Sequence, residues 1–196
     1  MAPQLYLITP SSADLPAADV AAILQAGDFS ALLVQRGTLD DTAYTQRAGE
    51  LIGIGQAAGC AVLIDNDAAL ARRLGADGVH ITDGPVALKA AIAALKPTMI
   101  VGAGHLASRH DAMTVGELDI DYVFFGPLEG TRNANAAELA EWWASTFEIP
   151  AVLSDPEATP ALQARGAEFV ALSTSIWTAA DPLEATRSIV TALDAA

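Results

Sequence analysis

Eight short apolar runs at regular intervals constrain this chain more than any other feature. They are "LYLIT" at 5–9, "ALLVQ" at 31–35, "AVLI" at 61–64, "GVHI" at 78–81, "MIVG" at 99–102, "YVFFG" at 122–126, "AVLS" at 151–154 and "FVALS" at 169–173. Each is nearly continuously apolar, as a strand covered on both faces must be. Between them lie alanine-rich segments of helical period, such as "LPAADVAAILQAG" and "DPLEATRSIVTALDAA". In "LDDTAYTQRAGELIGIGQAAG", Ala43, Ala48, Leu51, Ile52 and Ile54 form an apolar stripe. Gly27, Gly59, Gly75 and Gly166 end such segments, where a left-handed cap suits glycine. Asp181 and Pro182 begin the last helix with cap and first-turn chemistry. Eight β–α units in series predict a (β/α)8 TIM barrel. An open doubly wound sheet is the competing arrangement, and even spacing favours closure. No linker or low-complexity segment interrupts residues 1–196, so the expectation is one compact domain.

Hydrophobic residues make up 52% of the 196 and charged residues 17%, which excludes disorder. One cysteine, Cys60 in "GCAVLI", excludes a disulfide framework and reads as a small core residue. With 10 Lys+Arg against 24 Asp+Glu, the formal charge is −14, which argues against nucleic acid and anionic membranes as partners. No apolar run reaches the roughly 18 residues of a membrane span, and the start has no signal-peptide pattern. A cytoplasmic protein is expected. Trp142 and Trp143 are adjacent, so both cannot face the barrel. An exposed tryptophan there would offer a homodimer contact.

In a barrel the chemistry sits where strands end and helices begin. Those positions are Thr9–Ser12, Arg36–Thr38, Asp65–Asp67, Thr82–Asp83, Ala103–Arg109, Pro127–Asn135, Ser154–Glu157 and Thr174–Thr178. Arg36 directly follows a buried strand and reads as an anion contact, or as an ion-pair partner of Asp65 or Asp67. Asp65, Asn66 and Asp67 carry oxygens suited to a hard cation, with a helix cap as the competing role for Asp67. His80 lies inside a strand and reads as a satisfied barrel histidine or a catalyst. Thr131 and the hydroxyls of Ser173, Thr174 and Ser175 suit one phosphate, or ordinary turn and cap chemistry.

At these positions the chain resembles the thiamine-phosphate synthase family, which includes the thiazole tautomerases. The resemblance rests on "LYLIT", "LLVQR", "VLIDNDAALARRLGADGVHI", "DYVFFGPLEGT" and "SIWTAADP". It implies a transferase of thiamine biosynthesis that joins a pyrimidine diphosphate to a thiazole phosphate, with Mg²⁺ as cofactor. Departure of a diphosphate needs cations around it.

The resemblance also exposes differences. The synthase pattern Gln-x-Arg-x-Lys falls on Val34, Arg36 and Thr38, with Gln35 one residue out of register and hence on the opposite face. Asp65, Asn66 and Asp67 stand where Asn-Asp-Arg is expected. Pro85 replaces a second metal-binding aspartate, with Asp83 as its substitute ligand. Thr131, Arg132, Asn133 and Ala134 replace Thr-x-Thr-Lys, leaving Arg132 to supply the charge. Asp155 and Pro156 replace Gly-Gly. Arg36 and Arg132 therefore face Asp65, Asp67, Asp83, Glu129 and Asp155, and the expectation is weakened or lost diphosphate chemistry. Two alternatives stand beside it. One is a tautomerase-like isomerase using His105, which lies after the fifth strand where tautomerases carry a catalytic histidine. The other is a non-catalytic protein that binds a small phosphorylated or neutral metabolite.

Overall fold

A computed structural model describes residues 2–12 and 14–195. Eight parallel strands pair in sequence order and close into a barrel. They are β1 (Gln4–Ile8), β2 (Phe29–Val34), β3 (Ala61–Asp65), β4 (Gly78–Ile81), β5 (Ile100–Ala103), β6 (Tyr122–Phe125), β7 (Ala151–Ser154) and β8 (Phe169–Leu172). β1 pairs with both β2 and β8, which closes the sheet and removes its edges. The helices are α1 (Ala17–Ala26), α2 (Asp41–Ala57), α3 (Ala68–Leu74), α4 (Pro85–Leu95), α5 (Arg109–Gly116), α6 (Ala134–Ala144), α7 (Thr174–Trp177) and α8 (Pro182–Asp194).

The expectation of a helix in every unit fails once. No helix connects β7 to β8, where residues 155–168 form turns and irregular chain. Pro156 and Pro160 fall early in this segment, and each removes an N–H that a helix would use. The helix count is restored after β8, where the four-residue α7 precedes α8. The start signals read at Asp67 and Asp181 act as expected, and Asp40 and Ser108 do the same for α2 and α5: each accepts a backbone N–H in the first turn of its helix. Gly75 ends α3 in the left-handed region at φ 74, whereas Gly27 ends α1 in an extended conformation at φ −143.

Alternation along the strands divides the core into two. Leu7, Leu32, Val34, Val62, Ile64, Val79, Val101, Val123 and Phe125 face outward and pack under the helices. Tyr6, Ile8, Ala31, Leu33, Leu63, Tyr122, Phe124, Val152 and Ala171 fill the interior. Cys60 is buried with its Sγ 3.0 Å from Phe29 O, and burial pushes its thiol up to about 11, as an inert core residue requires. Trp143 is buried and donates from Nε1 to Ile149 O. Trp142 is half-buried beneath the Arg109 guanidinium.

Gly102 in β5 and Gly104 just beyond it carry no side chain. A Cβ at Gly102 would overlap the Tyr122 ring, and one at Gly104 would stand 2.5 Å from His80 Nε2. The large rings of β4 and β6 fit because β5 is bare between them. Gly102→Ala should therefore cost about 1–3 kcal/mol in urea unfolding. Gly49→Ala, on the exposed face of α2 with nothing within 4 Å of its new Cβ, should instead stabilise by about 0.5–1 kcal/mol.

Candidate active site

The carboxyl ends of the strands form a mouth. From it a row of inward residues descends through the barrel interior, from Gln35 just after β2 to Tyr122, the first residue of β6. Val34 pairs with Ile64, so Gln35 follows opposite Asp65. Asp65 pairs with His80, His80 with Gly102, and Gly102 with Tyr122. Gln35 continues the interior parity of Ala31 and Leu33 and is buried, with its N–H donating to Thr9 Oγ1 at 2.9 Å. This corrects the register expected at β2. Gln35 faces the mouth, and Val34 and Arg36 face the helices. The Arg36 guanidinium pairs with Asp41 and lies 5.6 Å from the Tyr44 ring centroid, both on α2. Its expected ion pair with Asp65 or Asp67 is replaced by that with Asp41, while its backbone N–H donates to Asp65 Oδ2 at 3.2 Å. The alternation of Ala31 and Leu33 was the signal that would have identified Gln35.

Asp65 is embedded in hydrogen bonds. Besides the Arg36 N–H, it accepts Asn66 Nδ2–H at 2.8 Å, and its own N–H donates to the Tyr44 hydroxyl. Asn66 takes a left-handed backbone at φ 52, and its side chain also donates to Thr82 Oγ1 and accepts the Thr82 N–H. Burial raises the Asp65 pKa, helped by the neighbouring Asp83 carboxylate and opposed by the Arg36 N–H. Asp83 is exposed. Asp67 caps α3 through Leu70 N–H. Among the described residues, no group of three or more His, Cys, Asp or Glu side chains gathers with metal-binding geometry.

His80 is fully buried. Its Nδ1 lies 2.8 Å from the Tyr122 hydroxyl, which lies 3.1 Å from the Tyr6 hydroxyl. The imidazole stacks on Tyr122 at 5.8 Å. Its Nε2 has no hydrogen-bond partner, nor have Gln35 Oε1, Ser173 Oγ and Ser175 Oγ. Sequence reasoning named His80 but missed Tyr6 and Tyr122, whose apolar runs give no sign that two hydroxyls meet.

The 126–133 loop leaves β6 and reaches three other loops. Glu129 accepts from Ser11 N–H and Oγ–H of the β1–α1 loop. Gly130 N–H donates to Thr174 Oγ1 after β8 at 2.9 Å. Arg132 is held by the β7–β8 connection: Nε to Asp155 Oδ1 at 2.8 Å, Nη2 to Asp155 Oδ2 at 2.7 Å, and backbone N–H to Glu157. Thr131 is exposed. Ser175 N–H, in the first turn after β8, donates to Pro156 O at 2.7 Å. Thr174 Oγ1 thus accepts from within the chain, and the Ser175 N–H is used within it. Ser173 and Ser175 keep their hydroxyls buried and unpartnered. His105 stands apart and exposed, in a left-handed conformation at φ 58, beside a 280 Å³ cavity also lined by His110, Asp111 and Thr82.

A closed parallel barrel with polar side chains converging on the carboxyl ends of its strands defines the class: a (β/α)8-barrel protein whose site is the mouth. A sequence model described as thiamine monophosphate synthase matches residues 5–176. The chain belongs to that family, one of thiamine biosynthesis. It is 38% identical to a thiamine-phosphate synthase of Hyphomonas neptunium, over 94% of this chain and 91% of that one. It is 33% identical to that of Rhodospirillum centenum, over 89% of each. A solved thiamine phosphate pyrophosphorylase from Pyrococcus furiosus shares the fold at a TM-score of 0.83 and 18% identity, covering 98% of this chain and 96% of that chain.

Burial lowers the His80 pKa from 6.5 to about 3. Between those values the unfolded chain binds a proton that the folded chain refuses, so this contribution to stability is lost as pH falls. Relative to His80→Gln, the wild type should lose on the order of 2 kcal/mol in urea unfolding between about pH 7.5 and pH 5. An unchanged difference would mean that His80 takes up its proton inside the fold.

Proposed function

We propose that this protein binds a small metabolite in the barrel mouth and that the diphosphate-dependent coupling of its family is weakened or lost. The observation that carries this reading is the capture of both candidate cations by carboxylates of the chain itself. Arg132 makes a two-pronged pair with Asp155, and Arg36 is turned toward Asp41 on the helix side. A leaving diphosphate develops negative charge that such cations would have to meet. Asp65, Asp83, Glu129 and Asp155 add charge of the wrong sign, each costing on the order of a few kcal/mol at an effective dielectric near 20.

Magnesium commonly binds through one or two carboxylates together with substrate phosphates. Asp65 and Asp83 would be the carboxylates here. Asp65 already accepts two N–H groups, and the mouth offers no free cation among the described candidates to share the phosphates. These residues fit a magnesium diphosphate poorly. Thr131, Ser173, Thr174 and Ser175 remain the hydroxyls best placed for a single phosphate.

Calorimetric titration with pyrophosphate and Mg²⁺ tests the reading. Binding weaker than roughly 100 μM is expected. Asp155→Asn, which releases Arg132 from its carboxylate, should tighten it by about tenfold. Wild-type binding tighter than that limit, lost in Arg36→Ala, would overturn the proposal.

A second reading, isomerisation by a proton shuttle on His105, is favoured by that residue's exposed position beside a cavity. Its test is deuterium exchange on a carboxythiazole phosphate. Exchange that disappears in His105→Ala would support it, and exchange that persists would remove His105 from the chemistry.

A further inference from the structure

At the end of the barrel opposite the mouth, the amino ends of the strands surround a cavity of about 170 Å³. Four buried interior side chains wall it: Tyr6, Leu63, Tyr122 and Val152. Its rim is set by the first residues of strands, among them Gln4 of β1 and the half-buried Phe169 of β8. The void has a cause in the sequence. Ala31 pairs with Ala61, so β2 and β3 each bring only a methyl group to a level where β1, β6 and β8 bring rings. Barrel closure fixes the distance between these walls, and they cannot move in to fill the space.

The lining selects against charge and against water. Among the described residues, none that lines the cavity is charged. An ion entering it would lose hydration and meet no counter-charge. Gln4 and Ser30 are its neutral polar side chains, together with the two tyrosines. The tyrosine hydroxyls are bonded to each other, and that of Tyr122 also to His80 Nδ1. A buried water needs about two to four polar partners, and an apolar cavity of roughly 150 Å³ stays dry and takes up benzene. One six-membered ring therefore matches the volume. The rings of Tyr6, Tyr122 and Phe169 offer edge-to-face contacts that an aromatic guest uses and an aliphatic one cannot.

We propose that the amino end of this barrel is a binding site for a single uncharged aromatic ring, distinct from the mouth at the other end of the strands. The guest restores the dispersion contacts that the walls lack across the void. Binding there does not depend on what the mouth accepts.

The experiment is a titration of the full chain with benzene, followed in NMR spectra of the aromatic side chains. Tyr6→Phe and Tyr122→Phe assign the two tyrosine signals. Saturable shifts of both rings are expected, with a dissociation constant of about 1 mM or below. Ala31→Leu and the smaller change Ala61→Val narrow the cavity and should each weaken binding about tenfold. Benzylammonium, the same ring carrying a charge, should leave both tyrosines unmoved at equal concentration. No saturable shift of Tyr6 and Tyr122 up to the solubility limit of benzene overturns the proposal without any variant having to fold. Binding that Ala61→Val leaves unweakened, or that benzylammonium matches, also overturns it, as do shifts confined to residues of the mouth. Pyrophosphate titration at the mouth is a separate measurement, so either proposal can fail alone.

Discussion

Closure of the barrel is the constraint on which the rest depends. Eight strands enclose a space only wide enough for side chains, so each interior position competes with its neighbours for volume. β5 yields by carrying glycine at 102, and the chain just beyond it by glycine at 104. Tyr122 and His80 occupy that volume, and the shape of the barrel interior follows from their rings. The polar row from Gln35 to Tyr122 is thus a consequence of packing before it is a matter of chemistry. Its hydroxyl and imidazole groups are held by bulk as well as by hydrogen bonds.

Electrostatics govern the rim in the same manner. A loop that reaches from β6 to the β1 and β8 loops must be fastened. Glu129 on Ser11 and Arg132 on Asp155 fasten it. Every charge used to hold the rim is one less available to a ligand. With a formal charge of −14, carboxylates outnumber the arginines that would be needed for both tasks. The missing helix between β7 and β8 belongs to this arrangement: Asp155 seizes Arg132, and Pro156 offers its carbonyl to Ser175 N–H.

Membership of the thiamine monophosphate synthase family describes the scaffold and the biosynthetic setting. The site has its own composition. What distinguishes it is the balance between anions and cations and the direction in which a few side chains point. Gln35 and Arg36 are adjacent, yet one faces the mouth and the other lies on α2.

The sequence by itself determined the eight strands, the parallel barrel, the starts of α3 and α8, and the family. These features are written in local periodicity and in short motifs, which need no distant partner. It also identified Asp67 as a cap and Cys60 as a core residue. The tertiary structure corrected the register at β2, placing Gln35 rather than Arg36 toward the mouth, because a one-residue slip reverses every side chain of a strand. It alone decided that Arg132 is spent on Asp155, 23 residues away, and that Tyr6 meets Tyr122 across 116 residues. Such contacts depend on which strands barrel closure makes neighbours, and no local pattern records them.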